Sequence, residues 1–96
     1  MNITREQAIG CVGPGWAELV GAIYDKLPPD AYIYQIKEKF GGLRFYVDGT
    51  TELLDFIDEM EDKSLTICEH CGKPGKPRGG GWVLTMCDEC YKSRLV

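Results

Sequence analysis

Residues 68–90 read CEHCGKPGKPRGGGWVLTMCDEC. Two Cys-x-x-Cys pairs, Cys68/Cys71 and Cys87/Cys90, enclose fifteen residues. Two residues between cysteines let both sulfurs turn toward one ion, so the spacing reads as a tetrahedral metal site. Soft thiolates make Zn²⁺ the expected ion. Four sulfurs close the coordination shell, so the role expected of it is structural. Gly72 follows the first pair, where the backbone of such a knuckle bends sharply. Neither half is long enough to fold alone, and the ion is expected to supply folding energy, on the order of 10–16 kcal/mol in comparable peptides. The competing reading is two disulfides or a redox dithiol. No secretory signal supports the first, and no βαβ pattern surrounds either pair to support the second. His70 is expected outside the metal shell, and Cys11 as a small core residue.

Between the pairs, residues 73–81 (KPGKPRGGG) are too rich in Gly and Pro for a helix and are expected to form an exposed loop. Lys73, Lys76 and Arg78 make its tip a candidate anion contact. Trp82–Met86 reads as a strand entering the second pair, with Trp82 packing the ribbon against the rest of the chain.

Upstream, Ala31–Asp48 reads as a β-hairpin. Its first arm is rich in strand formers, and Gly41-Gly42 is able to take the positive φ of a two-residue turn. A turn there sets Phe40 opposite Leu43, Lys39 opposite Arg44, Glu38 opposite Phe45 and Lys37 opposite Tyr46. One face then holds Tyr34, Ile36, Phe40, Leu43, Phe45 and Val47, with Glu38 as the misfit. The other holds Gln35, Lys37, Lys39, Arg44 and Tyr46. Like charges directly opposed cost stability unless something negative lies near, so Lys37, Lys39, Arg44 and Tyr46 form a candidate partner- or anion-binding surface. The competing readings are a solvated face or one that meets the acidic helix.

That helix is expected from Thr50 or Thr51 to about Lys63. Leu53, Leu54, Phe56, Ile57 and Met60 form its apolar stripe, and Glu52, Asp55, Asp58, Glu59, Glu61 and Asp62 its solvated side. Thr4-Arg-Glu-Gln7 is a capping box for a short first helix, which Gly13-Pro14-Gly15 interrupts. Trp16–Leu27 repeats apolar residues at three- and four-residue steps, and Pro28-Pro29 ends it.

These pieces sit in a chain of 96 residues with net charge -4 and ten aromatics. The length excludes a large enzyme scaffold, and the apolar content excludes disorder. Residues 1–63 carry twelve acids and six bases; residues 64–96 carry three acids and five bases. An acidic total argues against sequence-blind DNA binding. Four thiolates and one Zn²⁺ would add about -2. No apolar run approaches the roughly 20 residues of a bilayer span, and the polar N-terminus has no signal-peptide core, so a cytoplasmic protein is expected. His70 is the only histidine, and no phosphate-binding glycine loop is present, so no catalytic constellation stands out.

The segment Gln35–Val47 (QIKEKFGGLRFYV), with Cys11-Val-Gly-Pro-Gly-Trp16 before it and the paired cysteines with Gly80-Gly81-Trp82 after it, resembles a family of small uncharacterised phage and prophage proteins. Pro14 stands where the family pattern has an acidic residue. The resemblance implies a phage setting, hence host cytoplasm, and metal binding.

The expectation is an α+β fold. Residues 1–64 form an α+β domain in which N-terminal helices, hairpin and acidic helix pack together. Residues 65–96 form a zinc-ribbon module. The expected function is non-enzymatic binding to a host or anti-phage defence protein. The alternative is nucleic-acid or nucleotide binding through the basic hairpin face.

Overall fold

The computed structural model describes residues 1–95 and is α+β. Helix α1 (Arg5–Val12) starts at the Thr4 capping box, in which the Gln7 amide donates to Thr4 Oγ1 and the Thr4 amide to Gln7 Oε1. A 3₁₀ turn over Pro14–Trp16 leads into α2 (Ala17–Lys26). Strands β1 (Ile33–Lys39) and β2 (Gly42–Val47) form an antiparallel hairpin, followed by α3 (Thr51–Ser64) with Thr50 as its cap. A second small sheet pairs β3 (Lys76–Arg78) with β4 (Leu84–Met86), and α4 (Asp88–Leu95) ends the described chain. Leu19, Val20 and Ile23 of α2, Ile33, Ile36, Leu43 and Phe45 of the hairpin, and Leu53, Ile57 and Met60 of α3 make one buried core around Trp16. Leu54, expected in the stripe of α3, is exposed.

The hairpin turn differs from expectation by one position. Lys39 opposes Gly42, Glu38 opposes Leu43, Lys37 opposes Arg44 and Ile36 opposes Phe45. The turn residues are therefore Phe40 and Gly41, at φ 54° and 80°, the positive pair of a type I′ turn. Moving the turn by one residue shifts every partner by two and keeps Ile36, Leu43, Phe45 and Val47 on the inner face, but Phe40, expected there, becomes a turn residue and is exposed. Lys37, Lys39, Arg44 and Tyr46 still share the outer face, but the opposed cations are Lys37 and Arg44. Glu38, the misfit of the inner face, accepts a hydrogen bond from the Gly41 amide at 2.7 Å. A register irregularity between Ile33 and Gln35 buries Ile33 where Tyr34 was expected, and Tyr34 is exposed.

Helix α3 lies along β2 and supplies acceptors to its outward amides. The Leu43 amide donates to Ser64 Oγ and the Phe45 amide to Glu61 Oε2, both at 2.9 Å. Burial pushes the Glu61 carboxyl above its ordinary range. A group with a raised folded pKa favours the fold below its unfolded pKa, and that gain is lost as pH rises through the folded value. Glu61→Gln keeps an acceptor without the charge, so it should match the wild type at low pH, where Glu61 is protonated, exceed it near pH 7 and flatten this slope. Glu61→Ala, which strands the Phe45 amide, should lower unfolding stability by about 1–3 kcal/mol in denaturant titrations.

The loop expected over residues 73–81 contains β3, and a further helix, α4, begins within the second cysteine pair. Helix α4 has no apolar stripe to announce it. Its acids Asp88 and Glu89 lie in the first turn and its bases Lys92 and Arg94 in the last, as the helix dipole favours.

Candidate metal centre and the surfaces around it

The first cysteine pair sits on a turn between α3 and β3. The Cys68 amide donates to the Lys73 carbonyl at 2.8 Å and the Gly72 amide to the Cys68 carbonyl at 2.9 Å. Gly72 closes this turn at φ 84°, a conformation in which a side chain is strained. The second pair spans the end of β4 and the first turn of α4, where the Cys90 amide points at Cys87 Sγ at 3.4 Å. Glu69 ties the halves together: its amide donates to the Thr85 carbonyl at 3.0 Å, and its Oε2 accepts from the Thr85 amide at 3.2 Å.

The outcome is a cluster in which the sulfurs of Cys68, Cys71, Cys87 and Cys90 all lie within 4.8 Å of one another. All five cysteines are free, so the disulfide reading is not realised. Cys71 and Cys87 Sγ are 3.6 Å apart. Tetrahedral metal–sulfur bonds of about 2.3 Å imply sulfur edges of roughly 3.8 Å, so the donor set fits one tetrahedral ion.

The thiols do not ionise alike. Burial opposes the Cys68 thiolate, but the amides of Cys71, Cys87 and His70 point at its sulfur and outweigh it, lowering the thiol to about 6. Cys90 is pushed up to about 12, first by its contact with the Cys87 sulfur and then by burial. Crowded sulfurs resist sharing negative charge, and a divalent cation at their centre removes that resistance. His70 is exposed, as expected.

The centre is joined to the N-terminal elements through backbone. The Gly15 amide donates to the Glu69 carbonyl at 2.9 Å, and the fully buried Trp16 indole donates from Nε1 to the Ile67 carbonyl at 2.8 Å. A Cβ on Gly15 would lie 2.0 Å from the Cys68 carbonyl oxygen. On the opposite side, buried Thr85 donates to the Gly41 carbonyl of the hairpin turn. The chain thus grips its cysteine knuckles from both sides, and two glycines permit the close approach.

Trp82 takes no part in this docking and is 73% exposed, contrary to expectation. Thr85, and Val83 near Gly41, face the hairpin instead. Cys11, expected in the core, is exposed at the end of α1. Arg78, one of the loop-tip cations, is engaged internally. It donates to the Met86 carbonyl at 3.0 Å, pairs with Asp88 and lies 4.9 Å over the Tyr91 ring. Lys73 is 3.7 Å from Glu89 with both side chains exposed, a contact of little energy. Lys76 is exposed on β3.

On the hairpin, Lys37 and Arg44 face each other, Tyr46 is exposed beside them, and Lys39 lies toward the turn. Among the described residues the ion pairs are Lys73–Glu89 and Arg78–Asp88, so none of these cations has a carboxylate within 4.0 Å. Arg44 Nε is buried without a hydrogen-bond partner. No helix among the described residues is long and apolar enough to cross a membrane. Comparison of the chain with family models, with curated proteins and with solved structures gives no match.

Proposed function

We propose that this protein is a small binding module, held in shape by structural Zn²⁺, that acts on a partner protein through the outer face of its hairpin and catalyses no reaction. Four thiolates favour zinc among common ions and leave no open coordination position. The single observation carrying the binding role is the opposed pair Lys37–Arg44 on the outer hairpin face, where among the described residues neither cation has a carboxylate within 4.0 Å, although the acidic helix brings Asp58, Glu61 and Asp62 to the cleft beside Arg44. Such a pair costs the isolated fold about 0.2–1 kcal/mol. A complementary carboxylate on a partner removes that cost. The resemblance of the hairpin segment to phage and prophage proteins points to a host or anti-phage defence protein as the partner, met in the cytoplasm.

A nucleic acid or nucleotide is the second reading, because exposed Tyr46 beside these cations offers a stacking surface. The acidic total of -4 counts against it. Affinity capture from host lysate separates the possibilities. Lys37→Glu/Arg44→Glu should lose the specifically captured protein by at least about tenfold, the scale of a desolvated charge pair. Equal capture by wild type and variant would refute the hairpin-face assignment. Capture of nucleic acid that collapses as salt rises would favour the second reading.

A further inference from the structure

Two large aromatic side chains stand exposed side by side with no structural task. Phe40, at the hairpin turn, is 70% exposed, and Trp82, before β4, is 73% exposed. They line one groove of about 200 Å³ with Glu38, Lys39, Gly81 and Val83. Its position is fixed by the hydrogen bond from Thr85 to the Gly41 carbonyl, which ties the turn to the ribbon.

Phe40 holds φ 54°, a left-handed conformation costing a non-glycine residue roughly 1–2 kcal/mol. Gly or Asn is the ordinary occupant of such a turn position. Nothing in the fold repays an aromatic ring there, since the ring points away from the core.

The charges of the groove select its occupant. Lys39 Nζ lies 5.6 Å over the Phe40 ring and, among the described residues, has no carboxylate within 4.0 Å, so it is available to an incoming anion. Glu38, the acid of the groove, already accepts from the Gly41 amide at 2.7 Å.

We infer that the Phe40–Trp82 groove is the anchor point for a partner protein, receiving a flat apolar side chain whose neighbouring carboxylate pairs with Lys39. This rests on the protein-binding reading above and locates its energetic centre beside the cationic face rather than on it. Buried aromatic anchors usually dominate such contacts, while rim charges steer.

The test uses the metal-loaded protein and two small probes sharing one ring, indole-3-acetate and tryptamine, followed by amide and indole resonances. Indole-3-acetate should shift the Trp82 indole N–H and the Gly81 amide at concentrations on the order of 1 mM. Tryptamine should bind at least about fivefold more weakly, the scale of one exposed ion pair. Trp82→Ala and Phe40→Gly should both abolish the shifts. Phe40→Gly relieves the positive φ, so its loss of binding is not a loss of fold. Absent shifts, or equal shifts from both probes, would overturn the inference. So would an eight-residue oligothymidylate that moves the same resonances at lower concentration, since the groove would then be a base-stacking surface. If the probes fail while Lys37→Glu/Arg44→Glu still loses its captured partner, the groove is wrong and the hairpin face stands.

Discussion

Removal of the metal should collapse the C-terminal third of the chain and weaken the rest. Structural zinc contributes on the order of 10–16 kcal/mol in small peptides, more than the whole stability of most domains of this size. The local packing around Cys68 and Cys87 is small, with Met86, Leu84 and Tyr91 as its apolar partners, so little remains to hold the knuckles once the ion is gone. Excess chelator at pH 7 should therefore expose amides of β3, β4 and α4 to rapid hydrogen exchange. Cys68→Ser should reproduce that state, because the other sulfurs lose their best-ionised neighbour. Acid acts with the same sign. A thiol lowered from 9.0 to about 6 supports the fold above its unfolded pKa, and that support is lost as pH falls toward 6. Metal release should follow the same direction, since protons compete for the sulfurs. Elemental analysis should return one zinc per chain. Metal-free protein with intact β3, β4 and α4 would refute the structural role.

The cysteine spacing announced this centre because it is a local covalent pattern. Two turns and four sulfurs suffice, and no distant residue changes the reading. Helix α3 was legible for a similar reason, since its periodicity and its Thr50 cap lie within one segment. The hairpin was harder. Gly41-Gly42 offered two adjacent places for the turn, and tertiary contacts decided between them. Gly41 lies against Thr85 and Val83, Gly42 lies against Leu65, and Ser64 and Glu61 accept from alternate amides of β2. None of these partners is adjacent in sequence. The burial of Ile33 in place of Tyr34 depends on Asn2, whose side chain caps both the amide and the carbonyl of Ile33. Trp82 shows the limit of composition: a tryptophan beside a ribbon was expected inside, yet the smaller Val83 and Thr85 face the hairpin.

Gly15→Ala is expected to be among the most damaging single changes outside the cysteines, although it adds one methyl group. A Cβ there would lie 2.0 Å from the Cys68 carbonyl oxygen, 2.6 Å from the Glu69 carbonyl carbon and 2.7 Å from the Gly72 nitrogen. All three are backbone atoms of the first knuckle, so no side chain can swing aside. Relief requires the 3₁₀ turn and the knuckle to part, breaking the bond from the Gly15 amide to Glu69 and drawing the Trp16 indole from Ile67. The loss should exceed about 4 kcal/mol, the range reserved for disrupted cores and buried networks. Trp16 emission should move toward that of solvated indole. The control lies five residues away. Gly10 is inside α1, exposed, with nothing within 4 Å of a Cβ. Gly10→Ala should therefore stabilise by about 0.5–1 kcal/mol through helix propensity and reduced freedom of the unfolded chain. For a chain this short, that raises Tm by roughly 2–8 °C. A Gly15→Ala protein melting within a few degrees of wild type would mean that the N-terminal turn does not rest on the metal knuckle. The opposite signs of two identical substitutions would instead show that glycine at position 15 serves contact, not flexibility.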